Sequence, residues 1–405
     1  MAPSVTMERG KPALPLDIID TLLFHCKYDK ETRQSCSLVC RSWLPFSRFH
    51  FFNHRAISVP NRREATRLCE VLYSPLCTLI PFIRTLKIFV DPAGDHHLWI
   101  IEALRLLVER SVSLTKLIAI CRGLKDLQDT TYFSLLRALV GESMLSLDLL
   151  WISPVGSSFL PIATAPVKKM FFLSGPRLKH LSLDAGISWL GDEEVELASN
   201  RDCEGHPPPE THELSTLSIT MHCMSFTLDW LSKAFVFPSL THLYLRCEDR
   251  CDGDSLQRFL DTSARSIRHL FLDCGLLSEL NGLPYIDLSH LASLRSLHIS
   301  FPDHRAFIKS LIDIVSSTAF RLTSIVLLSV FTEGQPIEIF LGAWKALDIL
   351  LVEQSNLKQL VLRPQLQPFF DACQERGILV NAEGKYPLKR RWRAACARVY
   401  GSTEY

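Results

Sequence analysis

The side chains of this chain that could hold a metal or move a proton are histidines and cysteines at suggestive intervals. His242, His269 and His298 recur every few tens of residues, His96 and His97 are adjacent, and Cys247 and Cys251 are separated by three residues. Imidazole and thiolate are the usual ligands of zinc. A zinc site, however, takes its ligands from tight local pairs, and no C-x-x-C occurs among the thirteen cysteines. Neither G-x-x-x-x-G-K-[ST] nor G-x-G-x-x-G occurs, so no loop is built to cradle phosphate. There is no G-x-S-x-G elbow, and the serines and histidines fall in no triad order. The expectation is a protein with no metal, no cofactor and no catalytic side chain of its own.

The three histidines do share a context. Each lies inside a phrase of the form L-x-x-L-x-L, such as Leu240-Thr241-His242-Leu243-Tyr244-Leu245. The phrase starts at Ile83, Leu114, Met144, Leu178, Leu214, Leu240, Ile267, Leu294, Leu322 and Leu357, with the central copies 26 to 28 residues apart. A fixed period of this length means a stacked solenoid, and the phrase is similar to that of leucine-rich repeats, whose units span about 20–29 residues. Within each unit the phrase predicts a short strand with the leucines pointing inward. Apolar residues at helical spacing follow at Leu98–Val108, Tyr132–Val140, Leu256–Leu260, Phe307–Val315 and Trp344–Val352. The fold class expected is therefore α/β: a parallel-sheet horseshoe with outer helices over residues 81–380, preceded by a separate helical module.

On that plan the residues between the leucines face the concave surface. His180, Ser182, Asp184, Thr216, Ser218 and Thr220 lead into His242, Tyr244, Arg246, His269, Phe271, Asp273 and His298, with Ser296 and Ser300 beside them. Exposed aromatics beside arginine are the residue types that anchor interfaces. His242, Tyr244, Arg246, His269, Phe271, Asp273 and His298 are thus the expected contacts for a protein target. Residues 184–213 interrupt the rhythm with acidic residues and Pro207-Pro208-Pro209, and read as an exposed insertion.

Residues 12–52 follow a different pattern. Leu14-Pro15-x-Asp17-Ile18-Ile19 begins an apolar helix that continues through Leu22, and Leu38-Val39-Cys40-Arg41-x-Trp43 closes the segment. These two phrases resemble the opening and closing motifs of the F-box family. The resemblance implies a three-helix module that docks on a Skp-type adaptor and, through it, on a cullin scaffold. The positions matching the family's contact residues are Leu14, Pro15, Ile18, Ile19, Leu22, Leu38, Val39, Cys40 and Trp43. One departure stands out: the middle stretch Asp29–Gln34 is strongly polar where F-boxes are leucine-rich. Residues 53–80 read as a junction, with Ala56–Val59 as a first, capping strand. Arg41, Arg48 and Arg55 read as solvated. Residues 381–405 read as a cap or basic tail, in which Lys385, Lys389, Arg390, Arg391 and Arg393 surround Trp392.

The formal net charge of +1, from 44 basic and 43 acidic residues in 405, gives no basis for a nucleic-acid or membrane partner. With no secretory leader in the sequence, the cysteines are expected to be reduced, in the cytoplasm or nucleus. The resemblance then implies a substrate receptor of a Skp–cullin–F-box ubiquitin ligase. Its alternative is a ligase-independent scaffold in which the helices only cap the array.

Overall fold

In every one of the ten L-x-x-L-x-L copies a strand begins two residues after the first residue of the phrase. The reason is burial on one side of the chain only. All described residues at the three leucine positions are at most 3% exposed, and together they form one continuous core. In the computed structural model the described residues are 15–26, 29–39, 43–53, 56–74, 77–90, 96–121, 135, 138–139, 145–152, 177–186, 210–221, 224–247, 253–263, 265–273, 286–302, 311–316, 322–330, 341–362 and 364–381.

Three helices come first: α1 (Leu16–His25), α2 (Lys30–Val39) and α3 (Leu44–Asn53). They are followed by β1 (Ile57–Val59), α4 (Arg62–Tyr73), β2 (Thr85–Val90), α5 (His96–Glu109), β3 (Lys116–Cys121), β4 (Ser146–Ile152) and β5 (His180–Gly186). The chain continues through β6 (Glu210–Thr211), β7 (Thr216–Met221), α6 (Met224–Ala234), β8 (Phe235–Val236), β9 (His242–Cys247), α7 (Gly253–Ser263), β10 (His269–Asp273), β11 (Ser296–Pro302) and β12 (Ser324–Val330). It closes with α8 (Leu341–Glu353), β13 (Gln359–Leu362), α9 (Asp371–Glu375) and β14 (Leu379–Asn381).

Apart from β6 and β8, which pair with each other, the strands form one open, all-parallel sheet of 12 strands in sequence order. The architecture is α/β and solenoid-like. A carbonyl at the second position of the phrase locks each unit to the next. Thr241 O, for example, accepts from both Arg268 N–H and His269 N–H at 2.9 Å, and Arg268 O accepts from Arg295 N–H and Ser296 N–H at 2.8 and 3.0 Å. The hydroxyls of Ser215, Thr241 and Thr323 donate to the same carbonyls, at 2.9 to 3.1 Å.

The helices cover the leucine side of the sheet. From α7, Leu256, Phe259 and Leu260 enter the core at i, i+3 and i+4, and from α8, Trp344, Leu347 and Leu351 do so at i, i+3 and i+7, the stripe of a one-sided helix. Neighbouring helices are tied at their outer rims by Arg258 to Asp229 at 2.9 Å and Tyr73 Oη to Glu102 at 2.8 Å. At the C-terminal end the buried Asp348 accepts from Ala372 N–H and Cys373 N–H at 2.8 and 2.9 Å, capping α9 from the side of α8. Burial pushes the Cys373 thiol far above its ordinary pKa, so it stays protonated and donates to Asp348 O at 3.8 Å.

Several expectations need correction. The insertion expected at 184–213 is narrower: residues 184–186 finish β5, residues 210–211 form β6, and His212 is buried. Two helices, α4 and α6, were not expected. Asn61 caps α4, accepting from Glu64 N–H at 3.0 Å. The helical run expected at 132–140 is described only at 135 and 138–139, and the C-terminal run beyond residue 381 lies outside the described residues.

Removing the Asp348 carboxylate leaves two N–H groups of α9 without their acceptor. Asp348→Ala should lower unfolding stability by about 2 kcal/mol, read from urea melts. Leu270→Ala, in the centre of the core, should cost about 2–5 kcal/mol by the same measurement.

Candidate functional site

Two surfaces of this fold present side chains that the core does not use. The first is the N-terminal helical module. Along α1, Ile19 and Leu23 are fully buried, while Ile18 and Leu22 are 46% and 47% exposed. Residues four apart share a helix face, so the helix has two apolar stripes, one turned inward and one outward. Pro15 precedes the helix and is exposed, and its carbonyl accepts from Ile18 N–H and Ile19 N–H at 3.2 Å. Leu38, near the end of α2, is 85% exposed. The inner face is fixed by a polar tie: the buried His50 of α3 lies 2.7 Å from Asp20 of α1.

These positions sort the residues expected to meet an adaptor. Pro15, Ile18, Leu22 and Leu38 are outside, and Trp43 is half-buried between α2 and α3. Ile19 is a correction: at 0% exposure it fills the module and has no surface to offer. Leu14 and Cys40 lie outside the described residues, and Val39 is described only as part of α2. The polar middle stretch is the first half of α2. There Asp29 accepts from Glu31 N–H and Thr32 N–H at 3.0 Å and caps the helix start. Arg48, partly exposed, donates to Thr78 Oγ1 and so connects α3 to the segment before β2.

The second surface is the sheet face opposite the core. The parallel register brings residues two apart in each strand into three straight rows. The first runs Lys116, Ser146, His180, Thr216, His242, His269, Ser296, Ser324 and Gln359. The second runs Ile118, Asp148, Ser182, Ser218, Tyr244, Phe271, His298, Val326, Val361 and Val380. The third contains Asp184, Thr220, Arg246, Asp273 and Ser300. All seven expected contact residues therefore fall on one patch spanning β9, β10 and β11.

Within the patch, His242 and His269 stack with ring centres 4.4 Å apart and planes at 17°. Tyr244 and Phe271 lie beside them at 4.4 Å, and Phe271 meets His298 at 5.8 Å. Arg246 reaches Asp273 at 3.6 Å. The patch is less open than the spacing predicts. His269 is exposed and His242, Tyr244, Arg246, Asp273 and His298 are intermediate, but Phe271 is only 9% exposed and so backs the patch. Thr216, Ser218, Thr220, Ser296 and Ser300 are likewise buried. Strands about 4.8 Å apart pack small side chains between their larger neighbours, which closes the gaps.

Burial also sets the charge of the histidines. Desolvation, then the nearby His269, holds His298 down to about 4, and desolvation with His269, His180 and Arg268 brings His242 to about 4. His269 and His180 are lowered for the same first reason, helped by Arg268 and Lys116 respectively. The patch is thus neutral in its imidazoles near neutral pH. No group of three His, Cys, Asp or Glu able to hold a metal ion occurs among the described residues. Of the other candidates, His96 and His97 begin α5, Cys247 ends β9, and Cys251 lies outside the described residues.

Sequence reading missed a second cluster on the same face. Lys116 Nζ lies 3.0 Å from Asp148 Oδ2 across β3 and β4, and burial raises the Asp148 carboxyl above its ordinary range against the pull of that lysine. The signal was present in the weaker copies at Leu114 and Met144, whose intervening residues include Lys116 and Asp148. Further along, Val326, Val361 and Val380 make a small apolar cluster of their own.

Compared with protein-family models and with curated proteins, the sequence matches none. No helix among the described residues is long and apolar enough to cross a membrane.

The lowered histidines make stability fall with acidity. An unfolded imidazole takes up a proton near pH 6.5, while folded His242 and His298 do so only near 4. Between those values the unfolded chain binds more protons, so stability is complete above about pH 6.5 and declines as the pH falls toward 4. Urea melts across this window should show the decline, and His298→Gln should flatten it relative to the parent.

Proposed function

We propose that this protein is a substrate receptor of a Skp–cullin–F-box ubiquitin ligase. On this reading α1 and α2 bind the Skp-type adaptor, and the sheet face around β9 to β11 binds the target protein. The observation that carries the reading is the outward apolar stripe on α1. A small helical module with few core residues normally keeps its apolar side chains inside, yet Ile18, Leu22 and Leu38 are exposed while, among the described residues, Ile19 and Leu23 are buried. Of the positions that match the opening F-box helix, Ile18 and Leu22 lie on this stripe and the exposed Pro15 precedes it, and Leu38 belongs to the closing phrase. A few aliphatic anchors seated in partner pockets dominate the energy of such interfaces.

The receptor would contribute proximity rather than chemistry. The adaptor end fixes the ligase, the array fixes the target, and a lysine of the target is held near a ubiquitin-charged enzyme. Arg48 to Thr78 and the packing of α3 against residues 80–82 support this reading, because they join the adaptor end to the array without a long linker.

Co-expression with a Skp-type adaptor tests it. The parent chain should co-purify with the adaptor, and Ile18→Asp with Leu22→Asp should reduce recovery by about a hundredfold or more, the loss of two anchors. Because both side chains face outward, the melting temperature should stay within a few degrees of the parent. Failure of the parent to bind, or unchanged binding by the variant, would overturn the assignment in favour of a ligase-independent scaffold.

A further inference from the structure

Resting on the receptor reading for the identity of the partner, we infer that the edge of the sheet where the strands begin binds an acidic segment of the target, a run of Asp and Glu side chains laid across the strands. The residues concerned stand at the second position of each leucine phrase, one residue before a strand. Five of these ten are basic, Arg84, Lys179, Arg268, Arg295 and Lys358, and none is acidic, in a chain of 44 basic and 43 acidic residues. All five are exposed. Arg265, exposed in the turn that leads to β10, adds a further guanidinium beside Arg268.

These cations are uncommitted. Arg84 donates to Ser113 O at 3.3 Å, whereas the side chains of Lys179, Arg268, Arg295 and Lys358 enter no hydrogen bond or ion pair among the described residues. Between Lys179 and Lys358 the exposed acids that most closely precede a strand are Glu213, Asp261 and Glu353. Asp261 already accepts from Gln257 Nε2 at 2.8 Å, and among the described residues none of the three pairs with the row. The backbone holds the row in line: Thr241 O accepts from Arg268 N–H at 2.9 Å, and Arg268 O from Arg295 N–H at 2.8 Å. The hydroxyls of Ser215, Thr241 and Thr323 turn back onto these carbonyls, so the small residues leave the space between the cations open. Arg268 and Arg295 are one strand apart, with Lys179 three strands to one side and Lys358 two to the other, a span of about 29 Å at about 4.8 Å per strand. Like charges on neighbouring strands repel, and an anion laid between them relieves that repulsion. A single phosphoryl group is best met by cations that converge on one point. Cations spread along a line suit several carboxylates on an extended segment, with the guanidiniums gripping in bidentate fashion.

Fluorescence anisotropy with the full-length protein tests the inference. The probes are a labelled glutamate-rich peptide of about nine residues, long enough to span the row, its glutamine counterpart, the glutamine peptide carrying one phosphoserine, and a single-stranded oligonucleotide of equal charge. The glutamate peptide should bind about tenfold or more tighter than the glutamine one, and raising salt from about 0.1 to about 0.5 M should weaken it by a similar factor. Arg268→Glu with Arg295→Glu should remove about tenfold or more of that affinity at an unchanged melting temperature, since neither side chain has a partner to lose. If the reversal unfolds the chain, Arg268→Gln with Arg295→Gln should show the same loss in smaller measure. Arg62→Glu with Arg63→Glu, at the start of α4, makes the same change in net charge and should leave binding intact. No binding of the glutamate peptide, or an equal loss in the Arg62 and Arg63 variant, would overturn the inference. Tighter binding of the phosphoserine peptide or of the oligonucleotide would overturn the choice of occupant. Adaptor co-purification is untouched by each of these outcomes, so failure here and failure of the receptor reading are separable.

Discussion

Everything on the open face of this protein depends on one backbone interaction. The carbonyl at the second position of each leucine phrase accepts two successive N–H groups from the following unit. Arg84, Thr115, Leu145, Lys179, Ser215, Thr241, Arg268, Arg295 and Thr323 all do so, at 2.8 to 3.2 Å. Two donors on one acceptor fix both the distance and the phase of the next strand. A slip by one residue would send the leucines outward and the histidines into the core, so register and burial enforce each other. The three rows are straight because this lock is repeated without interruption, even where the spacing between strands lengthens from 26–28 residues to 36 between His180 and Thr216.

A regular backbone lets side-chain identity vary freely along each row. The first row stays polar from Lys116 to Gln359, while the second changes from Asp148 and Ser182 through Tyr244 and Phe271 to Val326 and Val361. The face therefore has a charged, partly buried stretch at Lys116–Asp148, an aromatic middle and an aliphatic end. The helical module adds a second apolar feature at the N-terminal side of the sheet, pointing away from its own interior. Two separate surfaces, one on the helical module and one on the sheet, thus carry side chains that the core does not use.

Much of this was legible in the sequence, and the rest was not for identifiable reasons. The strands could be placed because a leucine repeat of fixed phase is a direct record of one-sided burial. Helix α6 was overlooked because its buried residues, Thr227, Leu228 and Leu231, include a β-branched polar residue and sit among Ser225, Thr227 and Asp229. Helix α4 was signalled by Asn61 and Glu64 at capping distance, but the segment was read as a junction. The residues of the open face could be named in advance from alternation alone. Their accessibility could not, since the burial of Phe271 or Ser218 depends on the size of neighbours 26 to 36 residues away in the chain. Nor could the inward stripe of α1 be told from the outward one, because Ile18 and Ile19 are chemically identical and only the packing of α3 separates them.

The two outermost strands of the sheet, β1 and β14, are each three residues long. A parallel sheet of this width would otherwise end in two rows of unsatisfied amides and carbonyls, each a template for a further strand from another molecule. Cut to three residues, each end offers too little backbone for a stranger to gain much by pairing. Among the described residues, a repeat architecture that could in principle extend is thus left with short edges at both ends.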